Sequence, residues 1–308
     1  MSEILQSVLT PQGPQAGQIA TLAWILFALG AAVLAIVMAA LWLAIRGSPR
    51  LRAILARERT ILALGLAFPA VTLTLLLGYG VWLMRPQAGT DVRALQVEVS
   101  GEQWWWRVAY AGAAPFASAN EITIPVGRPV DFTLKAADVI HSFWVPSLGG
   151  KVDMIPGRTT RLRLTAERPG VYRGQCAEYC GGPHALMAFE VVALPPAEFA
   201  AWLQREASPA VMPVDATGQR GQSLFIAAGC GTCHAIRGTA ATGTIGPDLT
   251  HIGSRRSVGI DTMKLTHASL MRFIAQNQHV KPGNRMPEFR IFQPGELDAL
   301  ATYLLSLR

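Results

Sequence analysis

Two long stretches of the chain, residues 19–45 and 61–84, contain no charged side chain. About 20 apolar residues cross the hydrocarbon core of a bilayer as a helix, so both stretches are long enough to span it. Uncharged runs of this length are foreign to soluble cores. The first also lacks the basic flank of a cleaved signal, so two transmembrane helices are predicted. After Pro86 the pattern changes to short β-prone runs at 95–99, 104–110, 121–125, 130–135, 161–165 and 188–192. Gly and Pro punctuate them, as at Gly127, Pro129, Gly149 and Gly150. This predicts a small antiparallel β sandwich or barrel with no helical period. From residue 215 the pattern turns helical, with helices expected at 219–228, 270–276 and 294–307. The last has Pro294 at its start and Glu296 and Asp298 in its first turn.

The expected order is therefore an outer-side segment 1–18, a span 19–45, a basic loop 46–60 and a span 61–84. A β domain 91–194, a linker 195–214 and an all-α domain 215–308 follow. The linker holds a short helical patch, 197–206, and then Pro209 and Pro213, which make it semi-extended. Arg46, Arg50, Arg52, Arg57 and Arg59 crowd the loop between the spans. By the positive-inside rule that loop is cytoplasmic, and everything after Arg85 lies on the outer face.

Composition agrees with a membrane anchor: 51% of residues are hydrophobic and only 15% charged. The formal net charge is +7, yet the β domain is neutral overall. No polybasic run is interleaved with aromatics, so nucleic-acid binding gains no support.

The four cysteines fall in two close pairs. Around the first, Cys176, Glu178, Cys180, His184 and Met187 form the pattern C-x-E-x-C-x3-H-x2-M, and His141 stands upstream. Thiolate, thioether and imidazole together select copper over hard cations, and zinc has little use for Met. A single blue-copper ion needs one Cys, two His and a weak Met, so the spare Cys asks for a second ion. Two thiolates bridging two coppers would share one electron with little change in bond length. The competing reading is a Cys176–Cys180 disulfide.

With these motifs, residues 1–194 resemble subunit II of the haem–copper oxidases, whose binuclear copper site is called CuA. The resemblance implies a cupredoxin-like β domain in which Cys176 and Cys180 bridge both coppers. It gives His141 and Met187 to one ion, and His184 with the Glu178 carbonyl to the other. The Glu178 side chain matches the family residue that binds Mg at the boundary with subunit I. Trp104, in the run Trp104, Trp105, Trp106, matches the aromatic site where the electron arrives. On one strand, Trp104 and Trp106 would share a face and Trp105 take the other. Some family members carry a Glu early in the second span that opens a proton path. Leu62 falls near that place here, with Glu58 one turn earlier.

The second pair, Cys230 and Cys233 followed by His234, is C-x-x-C-H, the attachment signature of a c-type haem. The thiols form thioethers and His234 is the proximal iron ligand. Pro247 follows, as in small cytochromes c, where this carbonyl steadies the histidine. Met286, before Pro287, is the expected distal ligand, with Met263 and Met271 as rivals.

Together the halves resemble the caa-type oxidases, in which subunit II carries its own cytochrome c. The implied function is electron transfer from an external donor, cytochrome c or a quinol–cytochrome c reductase, through haem c to CuA. Subunit I, with subunit III beside it, would then reduce oxygen and pump protons, in a bacterial inner membrane with the soluble domains on the periplasmic side. The alternative is the same module in a copper-containing nitric oxide reductase.

Overall fold

The computed structural model describes residues 4–84, 94–112 and 114–308. One compact unit covers residues 17–89, and a second covers residues 1–16 and 90–308.

The first unit is helical. Helix α1 (Pro14–Arg46) begins just ahead of it and runs 33 residues, about 50 Å at 1.5 Å per residue. Helix α2 (Pro49–Leu55) is capped by the Ser48 hydroxyl and leads into α3 (Glu58–Leu62) and α4 (Phe68–Leu83). A π turn, Ala63–Ala67, joins the last two. Pro69 sits in the first turn of α4 and has no N–H to offer the Gly65 carbonyl, so the ladder loosens where a partner is missing. Trp24, Phe27, Trp42, Leu73, Leu75 and Leu77 all lie bare on these helices. A surface of that kind is stable against lipid tails and costly in water. Helix α2 falls between the two predicted spans, whereas the π turn Ala63–Ala67 lies inside the second and changes its helical winding.

The second unit contains a β sandwich and a helical domain. One sheet runs in the order β5 (Glu121–Pro125), β11 (Ala188–Leu194), β10 (Gly170–Cys176), β7 (His141–Trp144) and β8 (Val152–Met154). Strand β1 (Ile4–Leu5) pairs in parallel with Val171 and Tyr172 of β10. The other sheet runs β4 (Phe116–Ala119), β3 (Trp105–Tyr110), β2 (Leu95–Glu102), β6 (Val130–Ala136) and β9 (Thr160–Leu164). Alternation decides which side faces in. Val97 and Val99 of β2, and Val130, Phe132 and Leu134 of β6, are buried while their neighbours are not. They meet Ile122, Ile124, Phe189 and Val191 of the other sheet in one core. Phe143 stacks on Phe189 with centroids 4.5 Å apart, and Trp106 meets Phe189 edge-on at 4.9 Å. Burying each such ring contributes about 1.5–3 kcal/mol.

The three tryptophans do not follow the alternation expected of one strand. Strand β3 begins at Trp105, and Trp104 precedes it. Trp106 is in the core, Trp105 is buried on the other face beneath the Arg107 guanidinium, and Trp104 is half-buried.

Helix α5 (Pro196–Ala207) closes one end of the sandwich by stacking Trp202 on Phe199 and against Tyr110. Helices α6 (Ala216–Ala227), α7 (His267–Val280) and α8 (Pro294–Ser306) build the last domain. Gly221 lets α6 and α8 touch, since a Cβ there would collide with the Ala299 carbonyl. Its core gathers Phe225, Leu270, Ile274, Leu300, Tyr303 and Leu304.

The helical domain is docked onto the sandwich. Ile260 is only 2% exposed and belongs to the sandwich core. It holds φ +63°, and Asp261 holds φ +61°, a left-handed conformation costly for a β-branched side chain. The neighbouring contacts compensate. Asp261 pairs with Arg173 of β10. Arg256 donates from Nε to Glu190 at 2.7 Å and from its backbone N–H to Glu121 at 3.0 Å. Arg107 donates to the Thr244 carbonyl at 2.8 Å.

Candidate metal centre and haem-attachment site

Strand β10 delivers Cys176 at its last residue, beside Phe143 of β7. His141, at the start of β7, therefore reaches the same end of the sheet. The intervening loop turns back through a 3-10 turn, His184–Leu186, and re-enters the sheet as β11. The Cys176 N–H donates to the Met187 carbonyl at 2.8 Å and closes the loop.

Six donor atoms converge here. Cys176 Sγ lies 3.8 Å from Cys180 Sγ, 3.8 Å from His141 Nδ1 and 3.2 Å from the Glu178 carbonyl oxygen. Cys180 Sγ lies 3.5 Å from His184 Nδ1 and 3.7 Å from Met187 Sδ. The sulfur–sulfur separation is nearly twice a disulfide bond, and both thiols are free. Cys176 ionises easily. The hydrogen bond from the Cys180 thiol, then that from His141, bring it down to about 4 against burial, while the Cys180 thiol is pushed up. Two sulfurs, two imidazoles, a thioether and a carbonyl at these spacings fit soft metal ions held between the thiolates. The Glu178 side chain itself is exposed, as is Tyr179.

Residues with no ligand atom of their own hold the set in place. Asp138 Oδ1 lies 2.9 Å from His141 Nε2, which turns Nδ1 toward Cys176. Burial would raise the Asp138 carboxyl. The bonds from His141 and from the backbone N–H groups of Gln103 and Val139 outweigh it and hold the group below its usual range. Gly101 backs the ring, where a Cβ would sit 2.7 Å from His141 Cδ2. Asp138, Gln103 and Gly101 were not legible as site residues. The spacing D-x-x-H was the available signal for Asp138.

In the helical domain, Gly229 takes φ +74° to end α6 and turn the chain into Cys230–Thr232. Cys230, Cys233 and His234 are half-buried. His234 Nδ1 lies 2.8 Å from the Pro247 carbonyl, so it carries the proton and leaves the Nε2 lone pair free for a metal. Burial pushes the His234 pKa down, which favours that neutral form. Gly246 leaves the ring its space, since a Cβ there would lie 2.6 Å from Cε1. Two thiols and a neutral imidazole placed together in this way could hold a haem.

Met263 and Met271 pack against the core of this domain. Met286 is half-buried on the loop after α7, with its N–H bonded to Asn284 Oδ1 at 3.0 Å. Buried Asn277 anchors that loop by donating to the Pro287 carbonyl and accepting from Asn284.

Trp104 lies between the two ligand loops. Its Nε1 donates to the Cys180 carbonyl at 3.0 Å, and Gln103 Nε2 donates to the same oxygen at 2.8 Å. A Cβ built on Gly182 would stand 3.0 Å from the indole, and one on Gly283, three residues before Met286, 3.4 Å.

The family model described as cytochrome C oxidase subunit II, periplasmic domain, matches residues 111–194. The cytochrome c model matches residues 218–308. Among curated relatives, cytochrome c oxidase subunit 2 of Bacillus sp. (strain PS3) is 33% identical over 277 residues, 86% of this chain and 76% of the relative. That of Alkalihalophilus pseudofirmus is 37% identical over 223 residues, 72% of this chain and 64% of the relative. That of Bacillus subtilis is 31% identical over 225 residues, 70% of this chain. The match thus spans just under two thirds of the length of the Alkalihalophilus and Bacillus subtilis proteins, at 64% and 63%.

Proposed function

The chain belongs to the cytochrome c oxidase subunit 2 family, and from that premise we propose that it carries electrons from an external donor, through its own haem domain, to a binuclear copper centre and on to subunit I of a haem–copper oxidase. Subunit I then reduces oxygen and pumps protons, with subunit III alongside. When bound, the haem and the copper pair each supply one-electron redox chemistry.

The residues divide the work. Cys176 and Cys180 would hold the copper pair, with His141, Met187, His184 and the Glu178 carbonyl as the further ligands. Asp138 keeps the His141 ring turned. Cys230 and Cys233 would tether the haem, and His234 Nε2 and Met286 would hold its iron, a pairing that would raise the reduction potential as a donor to copper requires. The exposed Glu178 carboxylate would hold Mg at the boundary with subunit I. Helix α1 and the α3–α4 helix cross the cell membrane, with the arginine loop inside and the β and haem domains outside. Leu62, where some family members carry the Glu of a proton path, has no group to titrate, and Glu58 lies one turn earlier.

One observation carries the reading. The Trp104 indole bonds the Cys180 carbonyl, and Gly182 and Gly283 of the two loops both lie beside the ring. A covalently attached donor already rests where an electron must arrive, and tethering replaces diffusional capture by a high effective concentration. The test is to purify the full chain in its membrane complex and assay metals, oxygen uptake and flash-induced electron transfer. Two coppers and one haem per chain, with haem oxidation matching copper reduction, are expected. A chain with one copper, or with no exchange between haem and copper, overturns the reading.

A further inference from the structure

Lys281 starts the loop that leads to Met286 and is only 8% exposed. Its ammonium donates to the Trp104 backbone carbonyl at 2.8 Å, across the junction between the two domains. No carboxylate pairs with it among the described contacts, and burial alone draws its pKa down to about 8. An ammonium taken out of water without a counter-ion is costly. The fold tolerates that cost at one point, the carbonyl of the residue whose indole bonds the Cys180 carbonyl. Two residues on, Gly283 takes φ +77° and lies against the Trp104 ring. The Lys281 N–H is tied back to Asn277, and Asn284 donates to the Lys281 carbonyl at 2.8 Å. The loop is therefore rigid behind the ammonium.

We propose that Lys281 is a positioning residue for internal electron transfer: by gripping the Trp104 carbonyl it seats the 281–286 loop on the Trp104 ring and so sets how fast an electron crosses from the haem domain to the copper loop. The proposal rests on the function given above. The step is a one-electron exchange in which the ferrous haem is oxidised, the copper pair is reduced, and no proton moves. Neither Lys281 nor the Trp104 carbonyl changes its bonding. A positive charge at the junction also favours the electron's presence there, whereas a neutral donor would supply only the contact.

The experiment compares wild type with Lys281→Gln and Lys281→Arg in the intact complex. Haem is photoreduced by a flash, and haem oxidation and copper reduction are followed together. Haem content, copper content and both midpoint potentials are measured on the same samples. Loss of one charge-assisted bond is expected to slow the haem-to-copper rate roughly tenfold in Lys281→Gln. Lys281→Arg should recover most of it, and direct reduction of the haem by a small reagent should not change in either variant. An unchanged haem-to-copper rate in Lys281→Gln overturns the proposal. So does a slowing accompanied by shifted potentials or lost cofactor, because that marks a role inside one domain. If wild type shows no haem-to-copper exchange, both the functional reading and this one fall. If wild type exchanges normally and Lys281→Gln matches it, only this one falls.

Discussion

Asp138 Oδ1 lies 2.9 Å from His141 Nε2, and the opposite nitrogen of that imidazole lies 3.8 Å from Cys176 Sγ. A carboxylate behind a ligating histidine fixes its tautomer and direction. Replacing Asp138 with Asn leaves the ring free to choose the wrong tautomer. Copper affinity of Asp138→Asn is expected to fall about 10- to 100-fold, with folding intact. Copper titration of the metal-free protein checks this. An unchanged affinity would mean that the loop alone orients His141.

Replacing Met286 with Leu removes the thioether and keeps the bulk. The haem midpoint potential should drop and the distal-methionine absorption should vanish. The same change at Met271 or Met263 should leave the potential in place and cost only packing, usually under about 1.5 kcal/mol. Potentiometric titration of the three variants distinguishes them.

Ile260 is the apolar plug of the docked interface. Truncation to Ala should weaken docking by about 2–3 kcal/mol, at the low end for buried Ile because the β-branched part of the left-handed strain is relieved too. Limited proteolysis between residues 208 and 214 reads this out as faster release of the haem domain. Equal cleavage rates would show that the ion pairs alone hold it.

Burial pushes the Glu121 carboxyl from about 4.5 up to about 7, and nearby Glu190 adds to this, while the Arg256 N–H and the charges of Arg255 and Arg256 oppose it. Glu121 lines a cavity of about 230 Å³ that also holds Arg205, Glu206, His251 and Arg308. The docked state binds a proton more tightly than a state with Glu121 in water. Docking is therefore strongest below pH 4.5 and loses this contribution as pH rises through about 7. Glu121→Gln should flatten that slope. Interdomain melting across this range, by calorimetry of the full chain, is the measurement.

The copper loop was legible because its donors are neighbours in sequence, and the haem motif for the same reason. His141, far upstream, was marked by the family resemblance, and the fold brings β7 beside β10 to place it at the loop. Lys281, Gln103 and Gly101 act through space, and nothing local marks them. Strands β4, β7, β8 and β10 escaped the β pattern. They are short, or broken by Gly170 and Gly174, and sheet pairing rather than side-chain propensity holds them. Helix α7 starts three residues before its expected limit because Thr266 and Ser269 cap each other. Ser is not the usual third-position partner, so the box gives no sequence signal. Trp104 broke the alternation rule because the strand starts one residue later than its β-prone run.

Strand β1 is only two residues long, yet it covers the part of β10 that β7 does not reach. Uncovered, Val171 and Tyr172 would offer free N–H and C=O groups to any extended chain nearby. In a crowded membrane, that chain would often be another copy of the same protein. The peptide ahead of the first membrane helix thus works as a guard against sheet-to-sheet clumping, and trimming it should yield oligomers before it yields unfolded protein.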